Sequence, residues 1–368
     1  MQTAVRVTQS SGAFAHRIMV LVDKPGATQH ISFTQPLARQ VNLGTADVNL
    51  VSHDTSMEIL KQKLQKFSPS SLILSRYTSA DATPLIACAR SLSIPVIFHI
   101  DDDLLGVPES LGLDKFRHYN APERLQALRN NMEASDLIYT STQPLAEAFR
   151  AYGISTPIIA GDVYCTVDPT FIPQPLPATA PVVGYMGTGG HSRDLALILP
   201  VLERLLEEVP DLRFEVFGTI QLPGGLTRFG KRVSHHAPVS DYARFVSKLC
   251  ELGWWVGLAP LEDNAFNRCK ADTKWVEYSY AGIAVVASDL PVYHRACNER
   301  AGVLASDLES WYRALNALLC SLDLRQGLVD RARQKLTTRY THTALEKQVI
   351  DVLSAARDYA RRTRTEFF

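Results

Sequence analysis

Short apolar runs alternate with helical stretches twice along the chain, and one proline-rich segment separates the two series. In the first series, Ile18–Val22, Asp47–Val51, Ser71–Leu74, Pro95–Ile100, Asp136–Thr140 and Pro157–Ile159 read as extended. Helical stretches lie between them, around Ser32–Val41, Met57–Lys66, Thr83–Leu92, Pro122–Ala134 and Gln143–Tyr152. Short strands separated by helices long enough to cross over imply a parallel sheet with right-handed connections. Residues Thr166–Pro181 break the pattern. Pro169, Pro173, Pro175, Pro177 and Pro181 fix φ and remove backbone donors, which makes a stiff linker and a domain boundary.

The alternation then restarts. Val182–Met186, Arg213–Phe217, Trp254–Ala259, Ile283–Ala287 and Val303–Ala305 read as strands. Helices are expected over Arg193–Val209 with a kink at Pro200, Asp241–Leu252 and Asp272–Ala281, and through most of Leu308–Arg362. There is no short internal repeat. The expected fold is therefore α/β, with two Rossmann-like parallel-sheet domains facing a cleft. Residues 1–165 form the first domain, 166–181 the linker, 182–345 the second domain and 346–368 a C-terminal helix. Ligands of such sheets bind beyond the carboxyl ends of the strands, so the cleft is the place to look for function.

Composition narrows the function classes. The 46% apolar content supports sizeable cores and excludes general disorder. Basic and acidic residues number 38 each, so the overall basic excess of a nucleic-acid binder is missing. The six cysteines are scattered without a Cys-x-x-Cys pair, against both a disulfide framework and a cysteine-rich zinc site. Met1–Arg17 lacks an apolar core of signal-peptide length, and no apolar run approaches the ~18–20 residues that span a bilayer. A cytoplasmic protein is expected.

Three segments carry candidate chemistry. Gly187-Thr188-Gly189-Gly190-His191-Ser192 joins a strand to a helix, and Arg193 follows in the first turn. Glycines let backbone N–H groups approach a phosphate, and a helix N-terminus favours the anion; the plain alternative is a tight turn capped by Ser192. Ser192 occupies the third glycine position of a dinucleotide fingerprint, and the next strand ends Phe217-Gly218 without an acid, so NAD binding is disfavoured. Asp101-Asp102-Asp103 follows the Pro95–Ile100 strand at a cleft-facing end, as a ligand-contacting cluster or a solvated loop; metal binding is disfavoured. Lys270, Lys274 and Glu277, spaced by four and three, share one helix face beyond the Trp254–Ala259 strand. There they suit a diphosphate and a ribose diol, the alternative being a salt-bridged surface stripe.

The second half resembles the nucleotide-binding domain of GT-B-fold glycosyltransferases similar to family-4 retaining enzymes, especially those building bacterial surface polysaccharides. The resemblance rests on the strand ending Ala259-Pro260-Leu261, then Phe266-Asn267, Lys270, Lys274 and Glu277, and Gly282–Asp289 with Pro291 and Tyr293. In the first half, Ile94–Leu105 is similar to a segment of the same subgroup. The resemblance implies a nucleoside-diphosphate sugar as donor, with Gly187, Gly189, Gly190, His191, Arg193, Lys270, Lys274 and Glu277 around it. Glu277 matches the second Glu of the family's Glu-x7-Glu motif; the first Glu is replaced by Cys269. Lys274 matches the phosphate-binding lysine. Asp101 stands where many relatives carry a sugar-contacting His, with His99 two residues earlier on the same side of the strand. Catalytic roles fall to Asp101, Lys274 and Glu277, and the acceptor side to Gly26, Arg76, His99 and Asp102. Neither metal nor other cofactor is implied. The expected acceptor is a glycan or a lipid-linked glycan, with peripheral membrane contact through the basic tail Arg357–Phe368, at the inner face of the plasma membrane. The C-terminal helix is expected to pack back on the first domain. A sugar-nucleotide epimerase and a non-catalytic glycan- or nucleotide-binding subunit remain alternative readings.

Overall fold

A computed structural model describes residues 15–52, 55–166 and 180–365, with side chains to residue 362. Most of the proline-rich linker lies outside the described residues. The first half contains six parallel strands: β1 (His16–Val22), β2 (Ala46–Ser52), β3 (Ser71–Ser75), β4 (Val96–Ile100), β5 (Leu137–Thr140) and β6 (Ile158–Ala160). Their order is β2-β1-β3-β4-β5-β6. The second half contains β7 (Val182–Gly187), β8 (Arg213–Gly218), β9 (Val233–His236), β10 (Val256–Ala259), β11 (Ala284–Ser288) and β12 (Val303–Ala305), ordered β12-β11-β10-β7-β8-β9. Every recorded pairing is parallel. β3, β4 and β5 are buried along their whole length, which is why they read in the sequence as unbroken apolar runs.

Strand order reverses between β1 and β3 in one sheet and between β7 and β10 in the other. At such points neighbouring connections leave to opposite faces and open a crevice at the carboxyl ends. The segments after β1, β3, β4, β7 and β10 therefore form the cleft, and they carry the motifs singled out above.

Several local expectations are corrected. The helix around Ser32–Val41 begins earlier and is interrupted: Ala27–Gln29 runs into a π-helical turn at His30–Thr34, and regular winding resumes at Ala38–Asn42. The single kinked helix over Arg193–Val209 is two, Ser192–Ala196 and Leu199–Glu208, with Pro200 in the first turn of the second, where its missing N–H costs nothing. The glycine-rich turn is thus followed by five residues of helix, not by a long dipole. Helix Leu113–Tyr119 and edge strand β9 were not anticipated. The C-terminal stretch resolves into Leu308–Cys320, Leu322–Thr338 and His342–Thr365. The last helix lies against β4 and β5 of the first half. Its Gln348 donates to the Tyr139 hydroxyl at 2.6 Å and to the Val163 carbonyl at 2.8 Å. No helix among the described residues is long and apolar enough to cross a membrane.

Candidate active site

A cavity of about 430 Å³ lies between the halves. Ala27, Thr28, Ile31, Asp101, Asp102 and Tyr164 line it from one side, and His191, Tyr242, Lys270, Lys274 and Glu277 from the other. A second chamber of about 260 Å³ continues from it along Gly187, Thr188, Phe217, Gly218, Thr219 and Pro238, sharing His191, Lys274 and Glu277. Gly218 is required in that wall. It has φ +118°, and a Cβ there would lie 2.3 Å from the Gly187 carbonyl oxygen.

On the first wall the acids are committed. Asp101 accepts from the Thr28 hydroxyl at 2.9 Å, the Tyr164 hydroxyl at 2.6 Å and the Arg76 guanidinium at 2.8 Å. Arg76 also reaches Asp102 at 3.3 Å, and Asp102 spans the cleft to Lys270 at 3.0 Å. Burial would lift the Asp102 carboxyl, but Lys270 and Arg76 hold it well below the usual carboxylate range. Asp103 turns the other way, into the first domain, where it accepts from the Tyr152 hydroxyl at 2.7 Å and the Gly106 N–H at 3.1 Å. The three acids therefore do not converge. Among the described residues no group of three or more His, Cys, Asp or Glu side chains comes together as a metal site.

His99 is only 1% exposed. Its Nδ1 is paired with the Ser75 hydroxyl at 2.9 Å, and its ring packs between Phe33 and Tyr139. Burial pushes it down to about 4, so it is a neutral core histidine beneath the cleft floor. It does not line the cavity. Gly26 donates its N–H to Gln29 Oε1 at 3.0 Å and so starts the segment that carries Thr28.

The second wall is left less satisfied. Lys270 and Lys274 reach the cavity from the segment after β10 and from helix Thr273–Tyr280. Lys274 has no ion-pair or hydrogen-bond partner recorded among the described residues; its ammonium lies 5.8 Å from the Tyr185 ring centroid. Burial and then the charge of Lys270 lower its proton affinity. Glu277, one turn further, is 6% exposed and hydrogen-bonded with Tyr242. Burial pushes its carboxyl up to about 7, against the opposing effects of Tyr242 and Lys274. Tyr242 also meets Cys165 Sγ at 3.3 Å.

His191 is oriented by a residue that motif reading passed over. Asp194, 4% exposed, pairs with His191 Nδ1 at 2.8 Å. Its other oxygen accepts from the Glu262 N–H at 2.8 Å and the Asn267 side chain at 3.3 Å. It thereby ties the loop after β7 to the loop after β10. The charge of Lys274, then burial, pushes His191 down to about 4, so a neutral ring faces the cavity. An acid in the first turn after a glycine-rich segment was the only trace of this in the sequence. Arg193 is not brought to the cavity: it is exposed and stands 3.9 Å from Glu262. Cys269 also points elsewhere. Its Sγ lies 3.8 Å from the Pro144 carbonyl, its own carbonyl accepts from the Thr142 hydroxyl at 2.7 Å, and burial pushes the thiol up to about 12. Phe266 and Cys269 are in fact members of the first domain's apolar core, which locks the two halves together at this loop.

Two parallel α/β halves that meet across a cleft, with both sets of strand carboxyl ends turned to it, form the two-domain GT-B fold expected from the sequence. No family model and no curated protein sequence matches the chain. Solved structures do match it in fold. HepE of Anabaena in complex with UDP-glucose is 14% identical, with 92% of this chain and 100% of that one aligned at a TM-score of 0.63. A trehalose-6-phosphate protein of E. coli bound with UDP-2-fluoro glucose gives 14% identity, 92% and 98% coverage and a TM-score of 0.62. TarM of S. aureus, in a complex that includes UDP, gives 11% identity, 81% and 58% coverage and a TM-score of 0.58.

Proposed function

We propose that the protein is a glycosyltransferase that moves a sugar from a nucleoside-diphosphate sugar to a hydroxyl group of a glycan or lipid-linked acceptor. The observation that carries this reading is the Lys274 ammonium, half-buried beside Lys270 and Glu277 in a cavity between two sheets and without an ion pair or hydrogen bond among the described residues. A cation drawn partly out of water without an ion pair costs free energy that an anion of complementary shape recovers. The diphosphate of the donor sugar takes that position, against Lys274, Lys270 and the Gly187–His191 turn, and competes with Asp102 for Lys270. Glu277 accepts from the ribose hydroxyls, and the 260 Å³ chamber beside Phe217 and Pro238 takes the base. UDP-sugars in the structurally similar HepE and E. coli proteins support this class of donor.

In the transfer, the bond between the sugar C1 and the phosphate oxygen breaks and its electron pair goes to the diphosphate. The acceptor oxygen bonds to C1 and its proton passes to the departing diphosphate, with retention of configuration. Fixed ammonium groups stabilise the charge that grows on the leaving group, so the reading requires no metal. Asp101 is a positioning residue: with both oxygens engaged, it holds Arg76, Tyr164 and Thr28 at the acceptor side. Kinship with the family-4 enzymes, a part in bacterial polysaccharide synthesis, and work in the cytoplasm beside a membrane that holds lipid-linked acceptors belong to the same proposal.

Incubation of the purified protein with UDP-, GDP-, dTDP- and ADP-sugars, with and without EDTA, tests it. The expected result is release of one nucleoside diphosphate, in transfer or slow hydrolysis, that survives EDTA. Isomerised sugar without release would identify an epimerase, and binding without any turnover a non-catalytic subunit. Loss of activity in EDTA, restored by manganese, would overturn the metal-free mechanism.

A further inference from the structure

Helix Leu113–Tyr119 was invisible in the sequence pattern, and its Lys115 reaches the other half. It follows the 3-10 turn Glu109–Leu111 and Gly112, whose φ of 102° sets its direction. The Glu109–Leu111 turn packs against the Gly189–His191 turn of the other half. Gly190 is buried there. A Cβ on Gly190 would lie 2.6 Å from the Lys115 Nζ and 3.5 Å from the Leu111 carbonyl oxygen. The glycine thus makes room for an ammonium group of the opposite domain, as well as for any ligand.

Lys115 has no recorded ion-pair or hydrogen-bond partner among the described residues. The acid whose charge acts on it, Asp102, is already engaged by Lys270 and Arg76. Burial, then the positive charge of Lys270, lowers the proton affinity of Lys115. Among the described residues the exposed Lys115 and the half-buried Lys274, one from each half, thus have neither ion pair nor hydrogen bond, and both feel the charge of Lys270.

We propose that Lys115 is a ligand of the nucleotide's diphosphate, delivered by the N-terminal half over the Gly189–His191 turn, so that the diphosphate site is complete only when both halves meet. This rests on the nucleotide-sugar reading above and extends it to a residue from the opposite wall. Lys115 is not among the residues that line the 260 Å³ chamber assigned to the base, so a nucleoside alone is not expected to engage it. The proposal therefore separates phosphate number from base identity.

Calorimetric titration of UDP, UMP and uridine, with GDP, GMP and guanosine in parallel, into wild type, Lys115→Ala, Lys115→Arg and Gly190→Ala is the test. A charged hydrogen bond at a position exposed in the free protein supports an expected three- to tenfold loss of diphosphate affinity in Lys115→Ala. Nucleoside affinity should stay unchanged, Lys115→Arg should restore most of the loss, and Gly190→Ala should weaken the diphosphate by displacing the ammonium. Should Lys115→Ala fold poorly, Lys115→Gln gives the same comparison. Unchanged diphosphate affinity in Lys115→Ala, or an equal loss for diphosphate and nucleoside, overturns the role of Lys115 and leaves the donor reading intact. A wild type that binds only dTDP or ADP calls for the same comparison with that nucleotide series, and one that binds none of UDP, GDP, dTDP and ADP overturns both.

Discussion

The two walls of the cleft treat their charges in opposite ways. On the N-terminal wall Asp101 takes three hydrogen bonds and Asp102 holds both Arg76 and Lys270. On the C-terminal wall Lys274 stands without a recorded partner, and Glu277 is buried deeply enough to be pushed up to about 7. Polar groups that are fully paired form a rigid frame, whereas groups left unpaired in a dry site carry a cost that a ligand removes. Lys115 apart, the first wall is built to hold shape and the second to bind, although both present charged side chains to the same cavity.

The largest effect should come from the unpaired cation. Lys274→Ala should lower turnover by about a hundredfold to a thousandfold, the scale seen when a preorganised donor to developing charge is removed. Nucleotide affinity should fall less, because the charge it meets grows as the glycosidic bond breaks. Single-turnover rates beside calorimetry read both quantities.

Glu277→Gln should weaken nucleotide binding by about tenfold to a hundredfold, from ~1.5–3 kcal/mol for hydrogen bonds to a charged group. The pH dependence sharpens this. In the folded protein the carboxyl titrates near 7, above the ~4.3 of an unfolded glutamate. Between those values the native state holds a proton that the unfolded state has lost. The residue's contribution to stability therefore falls as pH rises through that window and is flat outside it. Affinity should move the other way and increase as pH rises through 7, because a ribose diol needs the ionised acceptor. Phosphate ionisation adds a trend of the same sign, so the glutamate's share is the difference between the wild-type and Glu277→Gln profiles. Identical profiles would remove Glu277 from ribose recognition.

On the paired wall the expectation reverses. Asp101→Asn should lower stability by about 1.5–3 kcal/mol, since Arg76 and two hydroxyls lose a charged acceptor, yet leave nucleotide affinity within about twofold. Thermal melts and the same titrations decide; a large loss of affinity with an unchanged melt would place a ligand on Asp101 directly. Cys269→Ser should have the smallest effect, within about twofold on nucleotide affinity, because the thiol faces Pro144 in the domain contact.

Much of this was readable in the sequence, for reasons that differ by element. β4 and β7 are inner strands, so they appear as apolar runs such as Val96-Ile97-Phe98. The spacing of Lys270, Lys274 and Glu277 put them on one face because a helix fixes that geometry locally. Edge strand β9, Val-Ser-His-His, offered no such signal; pairing with β8 makes it a strand. Helix Leu113–Tyr119 buries no residue fully, so it left no apolar stripe, and Lys115 was missed with it. Arg193 was expected at the phosphate because it stands in the first helical turn after the glycines; that turn instead carries it to the surface, 3.9 Å from Glu262. The alignment of Asp194 with His191 and with the loop after β10 depends on tertiary packing, which spacing along the chain does not encode.

The most direct test of the central claim is a calorimetric titration of UDP, GDP, dTDP and ADP into the wild type and into a Lys274→Ala/Glu277→Ala double variant whose melting temperature is measured alongside. The wild type should bind at least one of the four, and the folded double variant should lose that binding by about a hundredfold or more. Binding of equal strength by both proteins, or binding of none of the four by the wild type, would contradict that claim.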